Sequence, residues 1–347
     1  MSTSFSSSRR RFVRNASWLT AASLPLSGLT AARSIATKPA AKRPTVGHGN
    51  FQYKVDKKWG RLDRIAYPFQ HCHEMVLDSR DRLVCSAVGR RFDVILYDKD
   101  GKLLNTWDYG LTEPHGFSTA GQGRDQTFWL TCPEQGRVLN LDLDGRIIRE
   151  LAKPVDQIPN GKQYKPTETT VASDGSIFVA DGYGTSQIFH YDEKGQLKHV
   201  FGGLDDFDCA HGIVLDERGD TPTLLITSRT GNNFQRWSLD GSKLMQRDLP
   251  GFWICRPVIH GENTYFAVIV TDSWYHYDGM VAVLDKDFNV VSLPGGSAPT
   301  DQTDFNEVKH DDQTFMSPHD VCVDEDENLY VPQWYSGRTA PVRLRRV

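Results

Sequence analysis

Residues 170–195 read TVASDGSIFVADGYGTSQIFHYDEKG, and this stretch decides the fold class of the chain. It contains short apolar runs around Val171, Phe178 and Phe189, and Asp-Gly or Asp-x-x-Gly turns follow the first and the last of them. Short apolar runs bounded by such turns predict antiparallel hairpins. No long stretch after residue 36 carries a helical period, so the sequence predicts an all-β protein.

The same succession of strand, turn and strand recurs along the chain. Repeats begin near residues 73, 115, 167, 211, 257 and 319. A period of about 40–60 residues with several strands per repeat is typical of β-propeller blades. The repeats therefore predict a six-bladed propeller over residues 50–347. The last repeat has room for only three strands, so we expect residues 51–55 to add its fourth strand and close the ring.

The first 36 residues predict export. Residues 8–14 read SRRRFVR, the form of a twin-arginine signal, and a mild apolar region with small residues at 34–36 follows. We therefore expect a signal peptide over 1–36, recognition by the twin-arginine export machinery, and a periplasmic or secreted protein. Residues 37–49 are rich in Lys, Pro and Ala and predict a linker without structure of its own. A disordered basic tail is the alternative to the signal peptide.

Composition narrows the class of protein further. The net charge of −4 argues against a nucleic-acid partner. No apolar run after residue 36 is long enough to span a bilayer. The six cysteines show no CxxC or compact spacing, so disulfides, thiolate ligands and simple burial all remain open, with burial favoured.

Histidine recurs at one position of the repeat, as His73, His115, His211 and His319. Equivalent positions of repeats arranged around an axis converge on that axis. Several imidazoles that converge on one axis predict a metal site. Five other histidines follow no repeat logic and are expected at the surface or in loops: His71, His190, His260, His276 and His310.

Four motifs contain or follow the recurring position: EPHG at 113–116, FVADGYGTSQI at 178–188, TSRTGN at 227–232 and PHD at 318–320. In these motifs the chain resembles the NHL-type six-bladed propellers, and within them the catalytic core of peptidyl-α-hydroxyglycine α-amidating lyase. The resemblance covers essentially residues 65–335. It implies a zinc ion on His115, His211 and His319, with Tyr183 as the catalytic base.

The resemblance also implies two arginines at the catalytic site and a second metal. The arginines match Arg229 and either Arg90 or Arg91, and an arginine fork suits a substrate carboxylate. Asp320 matches an aspartate that binds a structural calcium ion, and Glu74 and Glu168 could enlarge that site. His73 departs from the family pattern, and it can be either a fourth zinc ligand or a substrate contact.

The implied reaction cleaves the C–N bond of an α-hydroxyglycine and releases an amide and glyoxylate. The substrate would be a small molecule or peptide with a carboxylate. A non-catalytic propeller that binds a peptide, glycan or protein on its top face is the alternative from another class. A calcium-dependent lactonase or sugar hydrolase is disfavoured, because its site usually rests on acidic and amide ligands rather than on histidines.

Overall fold

A computed structural model of the protein describes residues 45–60, 62–63, 65–270, 276, 278–311, 313–334 and 340–347. The predicted signal peptide and the first part of the predicted linker lie outside these residues. Six antiparallel sheets make up the described part of the chain, which has no α-helix and two 3₁₀ turns, Gly123–Asp125 and Val155–Gln157. The prediction of an all-β, six-bladed propeller is confirmed.

The strands follow the predicted repeats. Two strands precede the first blade, β1 (Thr45–His48) and β2 (Phe51–Asp56). Blade one contains β3 (Phe69–Leu77), β4 (Leu83–Gly89), β5 (Val94–Tyr97) and β6 (Leu103–Trp107). Blade two contains β7 (Phe117–Ala120), β8 (Thr127–Cys132), β9 (Arg137–Leu141) and β10 (Ile147–Glu150). Blade three contains β11 (Glu168–Val171), β12 (Ile177–Ala180), β13 (Gln187–Tyr191) and β14 (Leu197–Gly202).

The second half of the ring repeats this order. Blade four contains β15 (Ala210–Asp216), β16 (Thr223–Ser228), β17 (Asn233–Ser238) and β18 (Lys243–Asp248). Blade five contains β19 (Trp253–His260), β20 (Asn263–Val270), β21 (Met280–Leu284) and β22 (Val290–Ser292). Blade six contains β23 (Cys322–Val323), β24 (Leu329–Val331) and β25 (Val342–Arg346).

The Asp-x-x-Gly turns that suggested hairpins close by a recurring hydrogen-bond pattern. In blade two, the Asp142 carboxylate accepts the backbone N–H groups of Asp144 and Arg146, both at 2.8 Å. The Gly145 N–H donates to the Asp142 carbonyl at 3.0 Å. An aspartate that satisfies its own turn in this way favours a tight reversal over a helix. The corresponding turns of other blades repeat this chemistry, which is why the strand pattern could be read from the sequence.

The N-terminal strand closes the ring as predicted. The last sheet runs in the order β1-β2-β25-β24-β23, and Val55 of β2 pairs with Leu344 of β25. One expectation was wrong: β1 adds a fifth strand outside β2, so residues 45–48 of the predicted linker are structured. The physical reason is a local hairpin with Gly47 at φ +89°, fastened to blade five where the His48 N–H donates to Ser292 Oγ at 2.8 Å.

Apolar cores lie between neighbouring blades. Between blades five and six, Val281 and Val283 of β21 pack with Val331 of β24 and Leu344 of β25, and all four are fully buried. Burying such a side chain contributes about 1.5–3 kcal/mol. Stability is therefore distributed around the ring, which leaves the axis available for polar residues.

The cysteines support this packing as thiols. All six are free, and all except Cys209 are buried. Among the described residues, no helix has the length and apolar character that crossing a membrane requires.

Candidate metal centre

Four histidines line the axis at the inner edge of four blades. His73 lies in β3 and His211 in β15, whereas His115 and His319 directly precede the inner strands β7 and β23. Each side chain is at most 2% exposed. Inner strands converge at the axis of a propeller, so one repeat position occupied four times yields one cluster.

The imidazole rings of this cluster are in mutual contact. The ring centroid of His115 lies 4.7 Å from that of His73, 5.0 Å from that of His211 and 4.8 Å from that of His319. His319 is 4.9 Å from His73 and 5.1 Å from His211. The structure therefore brings together the predicted ligands His115, His211 and His319, with His73 beside them.

Two of the rings are oriented by backbone carbonyl groups. His73 Nδ1 lies 2.8 Å from the Pro114 carbonyl oxygen, and His115 Nδ1 lies 2.9 Å from the Thr167 carbonyl oxygen. Because a carbonyl only accepts, each Nδ1 carries the hydrogen and each Nε2 keeps its lone pair. This orientation by a hydrogen bond on the opposite nitrogen is typical of metal-binding histidines.

Glycine residues let the neighbouring strands approach the histidines closely. Gly116 follows His115, and a Cβ atom there would lie 2.2 Å from the Thr167 carbonyl oxygen. Gly212 follows His211, and its Cβ atom would lie 2.4 Å from the Cα atom of Arg256. The His-Gly pairs of the sequence therefore reflect close packing at the axis.

The histidines are neutral bases. Burial lowers the pKa of His115 to about 3. Burial and the neighbouring positive groups also hold the pKa values of His73, His211 and His319 well below the usual 6.5. Neutral imidazoles offer lone pairs to a metal ion at physiological pH.

The donor set fits a divalent transition metal. Among the described residues, His211 Nδ1 and His319 Nδ1 are buried without a hydrogen-bond partner. Candidate ligand atoms of His73, His115 and His319 all lie within 4.8 Å of one another, as do those of His211, Cys255 and His319. Buried polar atoms left without partners are costly, and coordination would satisfy them. Imidazole nitrogens suit zinc. The trio His115, His211 and His319, which the resemblance implies as zinc ligands, is divided between these two groups, and His319 belongs to both.

Tyr183 lies directly against this donor set. Its hydroxyl group is 3.1 Å from His115 Nε2 and 3.2 Å from His211 Nε2. The residue is 38% exposed and lines the cavity, but its hydroxyl group contacts the buried histidines. Burial raises the pKa of Tyr183 above its usual value, and Arg229 partly offsets that rise. Without a further positive charge, Tyr183 is therefore a phenol.

The predicted arginines separate into one that reaches the site and two that do not. Arg229 is 6% exposed, and its Nη1 donates to the Tyr183 hydroxyl group at 3.1 Å. Arg90 and Arg91 are exposed at the end of β4, outside the residues that line the cavity above the histidines. The reason is that the turn after β4 directs both side chains outward, and sequence spacing could not reveal that direction.

The calcium ion that the resemblance implied does not fit, because Arg256 fills the position beside Asp320. Arg256 Nε donates to one oxygen of Asp320 at 3.1 Å, and Nη2 donates to the other at 2.5 Å. The remaining donors reach the carbonyl groups of Phe117 at 3.0 Å and Met75 at 3.2 Å. Oxygen atoms that could bind calcium already bind a guanidinium group.

Two glutamates complete the environment of Arg256. Glu74 lies 3.5 Å and Glu168 3.9 Å from guanidinium nitrogens, and both carboxyl groups are fully buried. Burial, followed by the neighbouring Glu168, holds the pKa of Glu74 well above its usual range. A retained proton reduces the negative charge that the single guanidinium group must balance. This cluster, which we call the Arg256 cluster (Glu74, Glu168, Arg256 and Asp320), joins blades one, three, five and six beneath the histidines.

A cavity of about 520 Å³ opens above the histidines. The described residues that line it are His73, Glu113, His115, Pro133, Glu134, Lys165, Tyr183, Arg229, Ile269, His319 and Trp334. Sequence reasoning missed Glu113, Lys165 and Trp334. It also assigned His71 to the surface, whereas His71 is 6% exposed and lies 3.1 Å from Glu113. The sequence did contain a signal that His71 faces the site, because alternate residues of a strand share a face and His71 is two residues from His73.

Comparison with known proteins agrees with the propeller fold and the NHL-type repeat. The chain is 31% identical to a probable peptidyl-alpha-hydroxyglycine alpha-amidating lyase of Caenorhabditis elegans over 268 residues, 72% of this chain and 70% of that protein. It is 24% identical to human NHL repeat-containing protein 3 over 184 residues, 48% of this chain. The matched region spans 52% of the human protein. No protein-family model matches the chain.

Solved structures support the architecture. A streptogramin B lyase superposes with a TM-score of 0.55 at 12% identity, covering 84% of this chain and 97% of that one. A virginiamycin B lyase from Staphylococcus aureus superposes with a TM-score of 0.53 at 15% identity, covering 86% and 88%. The fold and site define an NHL-type β-propeller with a candidate axial metal centre. Within that class, the chain belongs to the peptidyl-α-hydroxyglycine α-amidating lyase family.

Proposed function

We propose that the protein is a zinc-dependent lyase that cleaves the C–N bond of an N-acyl-α-hydroxyglycine to an amide and glyoxylate. The observation that carries this proposal is the contact of Tyr183 with His115, His211 and Arg229, each within 3.2 Å. These contacts support a base, a cation-binding site and a carboxylate receptor in one cavity.

The chain's own groups can move the proton that the reaction requires. The Tyr183 phenolate takes the proton of the carbinol hydroxyl group, a C=O bond forms, and the C–N bond breaks. Tyr183 then returns the proton to the departing amide nitrogen, so the step is balanced. Arg229 lowers the pKa of Tyr183 through its charge and its hydrogen bond. When bound, zinc supplies a second positive charge that favours the phenolate and polarises substrate oxygen atoms.

Arg229 is the group that supports an anionic substrate, because the cavity also holds the carboxylates of Glu113 and Glu134. Arg229 faces the Tyr183 ring at 5.1 Å, and Lys165 lines the same cavity while paired with Glu134 at 2.9 Å. A guanidinium group binds carboxylates as a planar fork. Ile269 and Trp334 add apolar lining that suits the acyl part of the substrate.

Export is part of the same proposal. The twin-arginine motif at 8–14 supports synthesis and metal loading in the cytoplasm, followed by release to the periplasm or outside the cell. Fractionation of cells that express the full chain, with Arg9 and Arg10 replaced by lysine as a control, tests this step.

The activity test follows glyoxylate release from an N-acyl-α-hydroxyglycine by zinc-loaded protein. We expect release that stops after zinc is chelated and returns when zinc is restored. Absence of release by the loaded protein would reject this substrate class and favour a propeller that only binds its partner.

We expect Arg229→Gln to raise KM for the carboxylate substrate roughly 10–100-fold, because a charged hydrogen bond of about 1.5–3 kcal/mol is lost. Turnover should also fall, since the Tyr183 hydroxyl group loses the same neighbour. Lys165→Gln, at the rim of the cavity, is the matched control and should change KM less. An unchanged KM in Arg229→Gln would remove this residue from carboxylate binding.

A further inference from the structure

A second group of possible ligands lies beside the axial histidines. His71 and His73 are alternate residues of β3, so their side chains share one face of the strand. Their ring centroids are 5.0 Å apart. Glu113, just before β7 in the next blade, reaches toward both rings across the blade interface.

The ligand atoms of this group converge. His71 Nε2 is 3.1 Å from Glu113 Oε1, and His73 Nε2 is 3.5 Å from the same oxygen atom. All three potential ligand atoms lie within 4.8 Å of one another. Two imidazoles and one carboxylate form a ligand set that divalent transition metals use when positions must stay open for substrate.

The hydrogen-bond chemistry of His73 favours a cation here. The Pro114 carbonyl group fixes the hydrogen on Nδ1, so a neutral His73 directs its Nε2 lone pair toward the Glu113 carboxylate. Two acceptors that face each other at 3.5 Å repel unless a cation lies between them.

We propose that His71, His73 and Glu113 form a second metal site, which takes a divalent transition-metal ion and opens into the same cavity as the axial trio. Glu113 and His73 both line that cavity, and the Glu113 side chain is 33% exposed, so the ion has an entry path. His73 thereby belongs to the second site rather than serving as a fourth ligand of the first. The second ion adds positive charge where an anionic substrate enters. This proposal rests on the proposed function only in that both metal sites open into the same cavity.

Metal counting on the full folded protein tests the proposal. Wild-type protein is stripped, reloaded with excess Zn²⁺, desalted and analysed for zinc per chain. We expect two equivalents for wild type and one equivalent each for Glu113→Gln and His71→Ala. Glu134→Gln is the matched control, because it removes a carboxylate from the same cavity outside the ligand group, and it should keep two equivalents. Circular dichroism and thermal melting verify that each variant is folded.

His115→Ala separates this proposal from the proposed function. If both sites exist, His115→Ala should keep the zinc ion that His71, His73 and Glu113 bind. A single wild-type equivalent that His115→Ala loses, but His71→Ala and Glu113→Gln keep, would overturn the second site and leave the axial site standing. A single equivalent that His71→Ala and Glu113→Gln lose, but His115→Ala keeps, would support the second site and overturn the axial one. Two equivalents in Glu113→Gln and His71→Ala would also overturn the second site.

Discussion

Replacing Tyr183 by phenylalanine is expected to lower turnover by about 10²–10⁴-fold, the range for loss of a general base. The reason is geometric: the Tyr183 hydroxyl group contacts His115, His211 and Arg229 together. KM should change little, because Arg229 remains to bind the carboxylate. The measurement is steady-state glyoxylate release with metal content determined on the same samples.

The zinc content of Tyr183→Phe should equal that of wild type, since imidazole nitrogens hold the ion in the proposed site. Tyr265→Phe is the matched control, because it removes a buried hydroxyl group from the interface of blades five and six, away from the cavity. Its turnover should stay within about twofold of wild type. Glyoxylate release that is indifferent to Tyr183→Phe would reject the assigned base while leaving the metal site untouched.

Arg256→Ala is expected to lower the free energy of unfolding by about 3–5 kcal/mol, the usual cost of leaving buried charges without their partner. The guanidinium group bonds to Asp320 in blade six and to carbonyl groups of blades one and two. Its loss leaves Asp320 uncompensated beneath His319. Urea unfolding followed by tryptophan fluorescence measures the change.

Adding Ca²⁺ to the same unfolding experiment tests directly whether Arg256 takes the place of a bound cation. Wild-type stability should not respond to millimolar Ca²⁺, because Arg256 already fills the position. In Arg256→Ala, the vacated oxygen atoms suit a hard cation, so Ca²⁺ should restore part of the stability. Arg137→Met breaks the exposed ion pair with Glu150 and, as the control, should cost about 1 kcal/mol or less. A wild-type protein stabilised by Ca²⁺ would contradict the assignment of Arg256 as the internal cation.

The sequence was sufficient to predict the ring of six blades and the cluster of histidines at its axis. Both follow from repetition: similar strand-turn units stack around an axis, and one position of the unit must then face that axis. His73, His115, His211 and His319 are therefore predictable from spacing alone. Closure by β2 is equally predictable, because the last blade lacked a strand and an open edge is unfavourable.

The features that the sequence did not predict correctly all depend on side-chain direction and on contacts between blades. Arg256 belongs to no recognised motif, and nothing in its spacing indicates that it bonds to Asp320 in the neighbouring blade and to the Phe117 carbonyl group across the axis. Arg90 and Arg91 had the right position in sequence but point outward. The pairing of β1 depends on a side chain of blade five, Ser292, which is distant in sequence. Such contacts appear only when all the blades are in place.

The axial metal is tested most directly by a crystal structure of the zinc-loaded protein, with anomalous scattering recorded at the zinc absorption edge. We predict an anomalous peak bound by one nitrogen each of His115, His211 and His319, at about 2.0–2.1 Å. The absence of zinc among these three side chains in crystals of the fully loaded protein would contradict the proposed centre, and the lyase proposal would fall with it.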